Sequence, residues 1–199
     1  MRTLGVLAVS LVLSVSGEAI AASKAPRPLT ADYVKAAIEL KNDALEPVAT
    51  FDTLKADPER LRNSREGAFL RAFVNKRTGS IKFQVYAIVG YSRDWRFYNL
   101  ANYDPGDGAI QVPVDKISRE VISCRYGCML EEHVGFGLPE ALVRKIAARD
   151  ATDAWRFRLK SQSGIDTDLQ LDPGEFAGLI AAVDEFKSLN NLPQATPAN

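Results

Sequence analysis

Residues 81–91 read IKFQVYAIVGY, and Ile81, Phe83, Val85, Ala87, Val89 and Tyr91 alternate with Lys82, Gln84 and Tyr86. A strict period of two puts the first set on one face of an extended chain and the second on the other, so this run predicts a half-buried β-strand. Its neighbour, residues 68–76 (AFLRAFVNK), has the same β-rich composition, and Arg77-Thr78-Gly79-Ser80 between them has the chemistry of a turn. A chain with such a hairpin at its centre must build a sheet, and the remainder must cover one side of it.

Further strands are predicted at residues 48–54, 95–103, 109–114, 120–124, 128–136 and 154–160, separated by turn signals such as Asp104-Pro105-Gly106-Asp107-Gly108. Helices come late. Pro139 opens one that runs to about Arg149, and Asp172-Pro173-Gly174-Glu175 has the pattern of a capping box before a second. In that second helix Phe176, Leu179, Ile180, Val183 and Phe186 form one apolar stripe. Residues 33–40 fit a helical stripe but are short and lead into a turn, and residues 56–66 (ADPERLRNSRE) read as a charged loop with one helical turn at Asp57-Pro58. The expected class is α+β: an antiparallel β-meander packed by one or two helices of the C-terminal half. The alternative is a two-sheet β-sandwich with appended helices.

Arg2, the apolar run LGVLAVSLVLSV and the small residues Ala19 and Ala21 follow one another in the order of a secretory signal peptide, with cleavage expected after Ala21 or Ala22. Twelve apolar residues span about 18 Å against a hydrocarbon core of roughly 30 Å, which argues against an anchor. No cysteine precedes Cys124, so lipid attachment near the cut is not expected, and no arginine pair precedes the apolar run. The expected organisation is therefore a signal peptide over residues 1–21, a flexible leader over 22–30, one globular domain over 31–190 and a disordered tail over 191–199. The expected location is the periplasm or outside the cell. No transmembrane segment is expected in the mature chain.

Loss of the signal removes Arg2 and Glu18 and leaves 24 basic and 24 acidic residues, so no net field attracts nucleic acid or an anionic membrane. Cys124 and Cys128 are the only cysteines. In an oxidising compartment an even number of thiols is normally paired, and EVISC-RYG-CMLEEHVGF reads as a hairpin with Gly127 in its turn, which predicts a disulfide staple. Thiol redox chemistry is the sharper alternative, but catalytic pairs usually have two intervening residues and a helix N-terminus that lowers the thiolate pKa.

Three weaker sets of residues could carry function. His133, the only histidine, shares a strand face with Glu131 and faces away from Glu132, so a hydrolase using His133 with Glu131 or Glu132 is conceivable. Tyr91, Arg93, Trp95, Arg96 and Tyr98 mix aromatic and cationic groups that could stack a ligand, although strands use aromatics for packing as well. Asp104 with Asp107, and Asp166, Asp168 and Asp172 with Glu175, lack the spacing of a calcium loop, so no metal and no cofactor are expected. Glycine motifs for phosphate or dinucleotide, and the serine elbow G-x-S-x-G, are absent.

The strings FLRAFVNKRTGSIKFQVY, WRFYNLANY, the C-x-x-x-C hairpin with EEHVGFGLP, and AWRFRLKSQSG together resemble a family of exported bacterial proteins of unknown function. That resemblance spans most of the mature chain, implies export and a single domain, transfers no site residue, and favours strand over residues 35–40. The function expected is that of a non-catalytic envelope domain binding a protein partner or small ligand through its sheet or through residues 91–103. A hydrolase and a thiol redox protein are the alternatives.

Overall fold

The computed structural model describes residues 29–58, 66–125 and 127–193. The signal peptide, its cleavage site, most of the leader, the charged stretch 59–65 and the tail beyond Pro193 lie outside the described residues.

Among the described residues, two antiparallel sheets and three α-helices make an α+β fold, the class that the sequence predicts. The larger sheet contains β1 (Glu39–Lys41), β2 (Val48–Asp52), β3 (Glu66–Asn75), β4 (Ile81–Ser92), β7 (Asp115–Ser123) and β8 (Met129–Leu138), in the order β1-β2-β3-β4-β8-β7. β5 (Tyr98–Tyr103), β6 (Ile110–Pro113), β9 (Trp155–Ser161) and β10 (Thr167–Leu171) form the smaller sheet, ordered β10-β9-β5-β6. The meander thus runs through β1 to β4 and then breaks. The chain leaves for the smaller sheet and returns to lay β8 against β4 and β7 at the edge. Facing sheets are the element that the sandwich alternative foresaw.

The alternation in β4 behaves as its period dictates: Phe83, Val85, Ala87, Val89 and Tyr91 are buried. Leu70, Ala72 and Val74 of β3 and Leu130, Val134 and Phe136 of β8 join them on the inner face. Over that face lie the smaller sheet and two helices, α2 (Glu140–Ala147) and α3 (Pro173–Leu189). An aromatic cluster ties the layers together. Tyr103 of β5 stacks on Phe136 of β8 at 5.8 Å, Phe136 meets Phe157 of β9 edge-on at 5.2 Å, and Trp155 meets Phe176 of α3 at 5.7 Å. Such pairs add about 0.5–1.5 kcal/mol each beyond their area.

Two local expectations are corrected. Residues 35–37 belong to a helix, α1 (Ala31–Ala37), rather than to a strand, with only Glu39 and Leu40 entering β1. Thr30 caps α1 by accepting the Tyr33 amide at 3.3 Å, and α1 lies so close to α3 that a Cβ on Gly178 would stand 2.6 Å from the Cβ of Val34. Second, β10 lies where only an acidic cluster was expected. Thr167 and Leu171 point inward while Asp168 and Gln170 face solvent, so its polar half hid its alternation.

Candidate functional site

The most densely bonded polar group described is the carboxylate of Glu132, which is 1% exposed. It sits on the inner face of β8, where an isolated charge would be costly. Four donors offset that cost. The Tyr91 hydroxyl and the Phe97 amide, the latter at 2.8 Å, donate to Oε1. The Tyr98 amide and Arg119 Nε donate to Oε2 at 3.3 and 3.2 Å. Burial, with the adjacent Glu132 carboxylate adding to it, pushes the Tyr91 hydroxyl far above the usual tyrosine range.

Those bonds hold a short loop between β4 and β5 in an unfavourable shape. Arg93 and Phe97 have φ of 86° and 58°, a left-handed conformation that side chains other than glycine rarely adopt. Arg96 closes the loop: its amide donates to the Tyr91 hydroxyl at 3.0 Å, its guanidinium lies 4.4 Å over the Tyr91 ring, and Nη1 donates to the Tyr98 hydroxyl at 3.0 Å. Arg119 likewise covers the Phe97 ring at 4.5 Å.

Cys124 and Cys128 are joined in a disulfide at the β7–β8 turn, with Cα atoms 4.0 Å apart. The carbonyl of Cys128 accepts the Arg93 amide at 3.4 Å, so the disulfide and the strained loop adjoin. Both cysteines are exposed, as are Phe97 in the loop and Val121 and Ile122 near the end of β7.

This geometry revises the roles expected of the aromatic run. Tyr91 and Tyr98 are buried, so their rings cannot stack a ligand from solvent, and Trp95 packs against the core. Arg93 stays exposed, while Arg96 is occupied by Tyr91, Tyr98 and Thr167. Glu132 cannot serve His133, because the two side chains project from opposite faces of β8.

On the outer face His133 stands between Glu131 and Tyr86. The Glu131 carboxylate accepts from Nε2 at 2.6 Å, and Nδ1 shares a 2.9 Å hydrogen bond with the Tyr86 hydroxyl. A carboxylate only accepts, so Nε2 donates to Glu131 and, in the neutral ring, Nδ1 accepts the hydrogen bond of the Tyr86 hydroxyl. Neither nitrogen is left to act as a base. Burial raises the pKa of Tyr86, which works against its use as a nucleophile.

Acidic residues elsewhere are engaged locally. Asp104 accepts the amides of Gly106 and Gly108 at 2.6 and 3.1 Å, which holds its pKa below the usual carboxylate range, while Asp107 is exposed in the same turn. Asp166 pairs with Lys160, and Asp168 with Arg158 at 2.5 and 2.8 Å. Asp172 is the N-cap residue of α3 without a capping side-chain bond, and Glu175 is buried. Among the described residues no group of three or more His, Cys, Asp or Glu side chains could hold a metal ion, and no helix is long and apolar enough to cross a membrane.

No protein-family model, curated protein or solved structure matches this chain.

Proposed function

We propose that the chain is an exported, non-catalytic binding domain, of the kind its resemblance to uncharacterised exported proteins implies, and that a protein partner docks at the end carrying loop 92–97 and the β7–β8 turn. One observation carries this reading: an exposed loop holds two strained non-glycine residues and is clamped by a buried carboxylate. Strain of this kind costs of order 1–3 kcal/mol per residue and persists where the surroundings over-determine it, most often at sites that must present a fixed shape. Phe97, Val121 and Ile122 give that shape an apolar surface, and the disulfide limits its motion. Export accounts for the oxidised cysteines.

A photo-crosslinking residue at Ile122, compared with one at the exposed Leu45 in the β1–β2 turn on the other edge of the larger sheet, tests the proposal in envelope extract. A discrete adduct is expected from position 122 alone, weakened when Glu132→Gln loosens the loop. Equal labelling from both positions overturns the assignment.

Exposure of both cysteines favours a second reading, a thiol redox protein. The pair sits at a strand turn, without a helix N-terminus to lower a thiolate pKa. Mild reductant decides: redox function requires ready reduction of the folded protein.

A further inference from the structure

The solvent face of the smaller sheet carries two adjoining cavities. One, of about 600 Å³, is lined by Asn102, Arg156, Arg158, Asp168 and Gln170 among others. Its neighbour, of about 540 Å³, is lined by Asp104, Arg149, Asp153, Trp155, Arg156 and Gln170. Both fall in the size range of small-molecule sites, roughly 300–1,000 Å³. Asp104, Arg156 and Gln170 belong to both, so Arg156 stands where the two meet.

Charge pairing across this face is uneven. Arg158 is held in a two-point grip by Asp168, and Arg149 lies 3.7 Å from Asp153. The Asp104 carboxylate is spent on the amides of its own turn. Arg156, opposite Gln170 in the β9–β10 register, has no acidic partner among the described residues. The preceding residue, Trp155, turns to the core side of β9, where its Nε1 is buried without a hydrogen-bond partner. A guanidinium offers several donors in a planar fork and no acceptor, a shape that fits a carboxylate or phosphoryl group at two points. Asn102 and Gln170 flank it with amides that can both donate and accept.

We infer that this trough binds a small anionic solute, with its carboxylate or phosphoryl group on Arg156 and its polar body between Gln170 and Asn102. The proposal is independent of the partner-docking end, which lies on other elements. Asp104, Asp153 and Asp168 in the walls disfavour polyanions and favour a solute bearing one anionic group among neutral polar ones.

Titration calorimetry of the mature protein with inorganic phosphate and, separately, with acetate and succinate tests this, at concentrations up to about 50 mM, where even a millimolar site fills. Saturable binding of at least one probe is expected, weakened tenfold or more by Arg156→Gln, partly restored by Arg156→Lys, and unchanged by Arg144→Gln on α2. The probe that binds separates phosphoryl from carboxylate chemistry. Absence of saturable binding by all three, or binding that Arg156→Gln leaves intact, overturns the proposal.

Discussion

The amide of Phe97 donates to Oε1 of Glu132 at 2.8 Å, which joins the last residue before β5 to the middle of β8 and so fixes the point where the chain passes between sheets. That carboxylate gathers two backbone amides, a phenol and a guanidinium, and removing its charge leaves those donors competing for one neutral oxygen. Glu132→Gln is expected to cost about 2–4 kcal/mol. For a domain of this size that corresponds to a fall of roughly 5–15 °C in Tm. Glu131→Gln, on the partly exposed outer face, should stay within about 1 kcal/mol of the parent. Thermal melts of the two variants side by side check the contrast.

Gly174 and Gly178 let α3 approach α1 and the two residues before it. A Cβ at position 174 would lie 1.7 Å from the carbonyl oxygen of Leu29, and one at 178 would lie 2.6 Å from the Cβ of Val34. Alanine in a helix normally gains about 1 kcal/mol over glycine. Overpacking costs about 1–3 kcal/mol, so the clash decides the sign. Both alanine variants should be destabilised, Gly174→Ala more because backbone must move, and hydrogen exchange should show α1 losing protection first.

Removal of the disulfide has a bounded effect. Cys124 and Cys128 are four positions apart, and loop-closure entropy for so short a loop is worth about 2 kcal/mol. The Cys124→Ser, Cys128→Ser double variant should therefore remain folded, with a lower denaturant midpoint and faster exchange confined to the β7–β8 turn and loop 92–97. Global unfolding on reduction would contradict this.

Burial raises the hydroxyl pKa of Tyr86, Tyr91 and Tyr103. Each folded-state value thus lies above the unfolded one, near 10, and the unfolded chain releases its protons first as pH rises. The stability these groups provide is complete below about pH 10 and declines as pH climbs toward their folded values. Denaturant midpoints at pH 9 and 11 should show the decline, and Tyr91→Phe should make it shallower.

Legibility followed sequence separation. The period-two run of β4, the turn at Gly79, the cysteine hairpin and the apolar stripe of α3 are local patterns whose partners lie within a few residues. β10 was obscured because Asp168 and Gln170 on its solvent half resemble loop residues. Helix over residues 31–37 prevailed because α3 offers two glycines for close packing, a partner more than 130 positions away.

The sequence alone determined that the chain builds antiparallel strands, staples its only cysteines and forms a late helix with an apolar stripe, since each follows from side-chain periodicity or turn chemistry. Only the tertiary structure decided that the strands divide between two sheets, that Glu132 is a buried clamp while its neighbours Glu131 and His133 face outward, and that Arg156 lines a cavity with no acidic partner among the described residues. Those outcomes depend on which distant residues meet across the core, where the energy of a charge is set by the donors that burial brings to it.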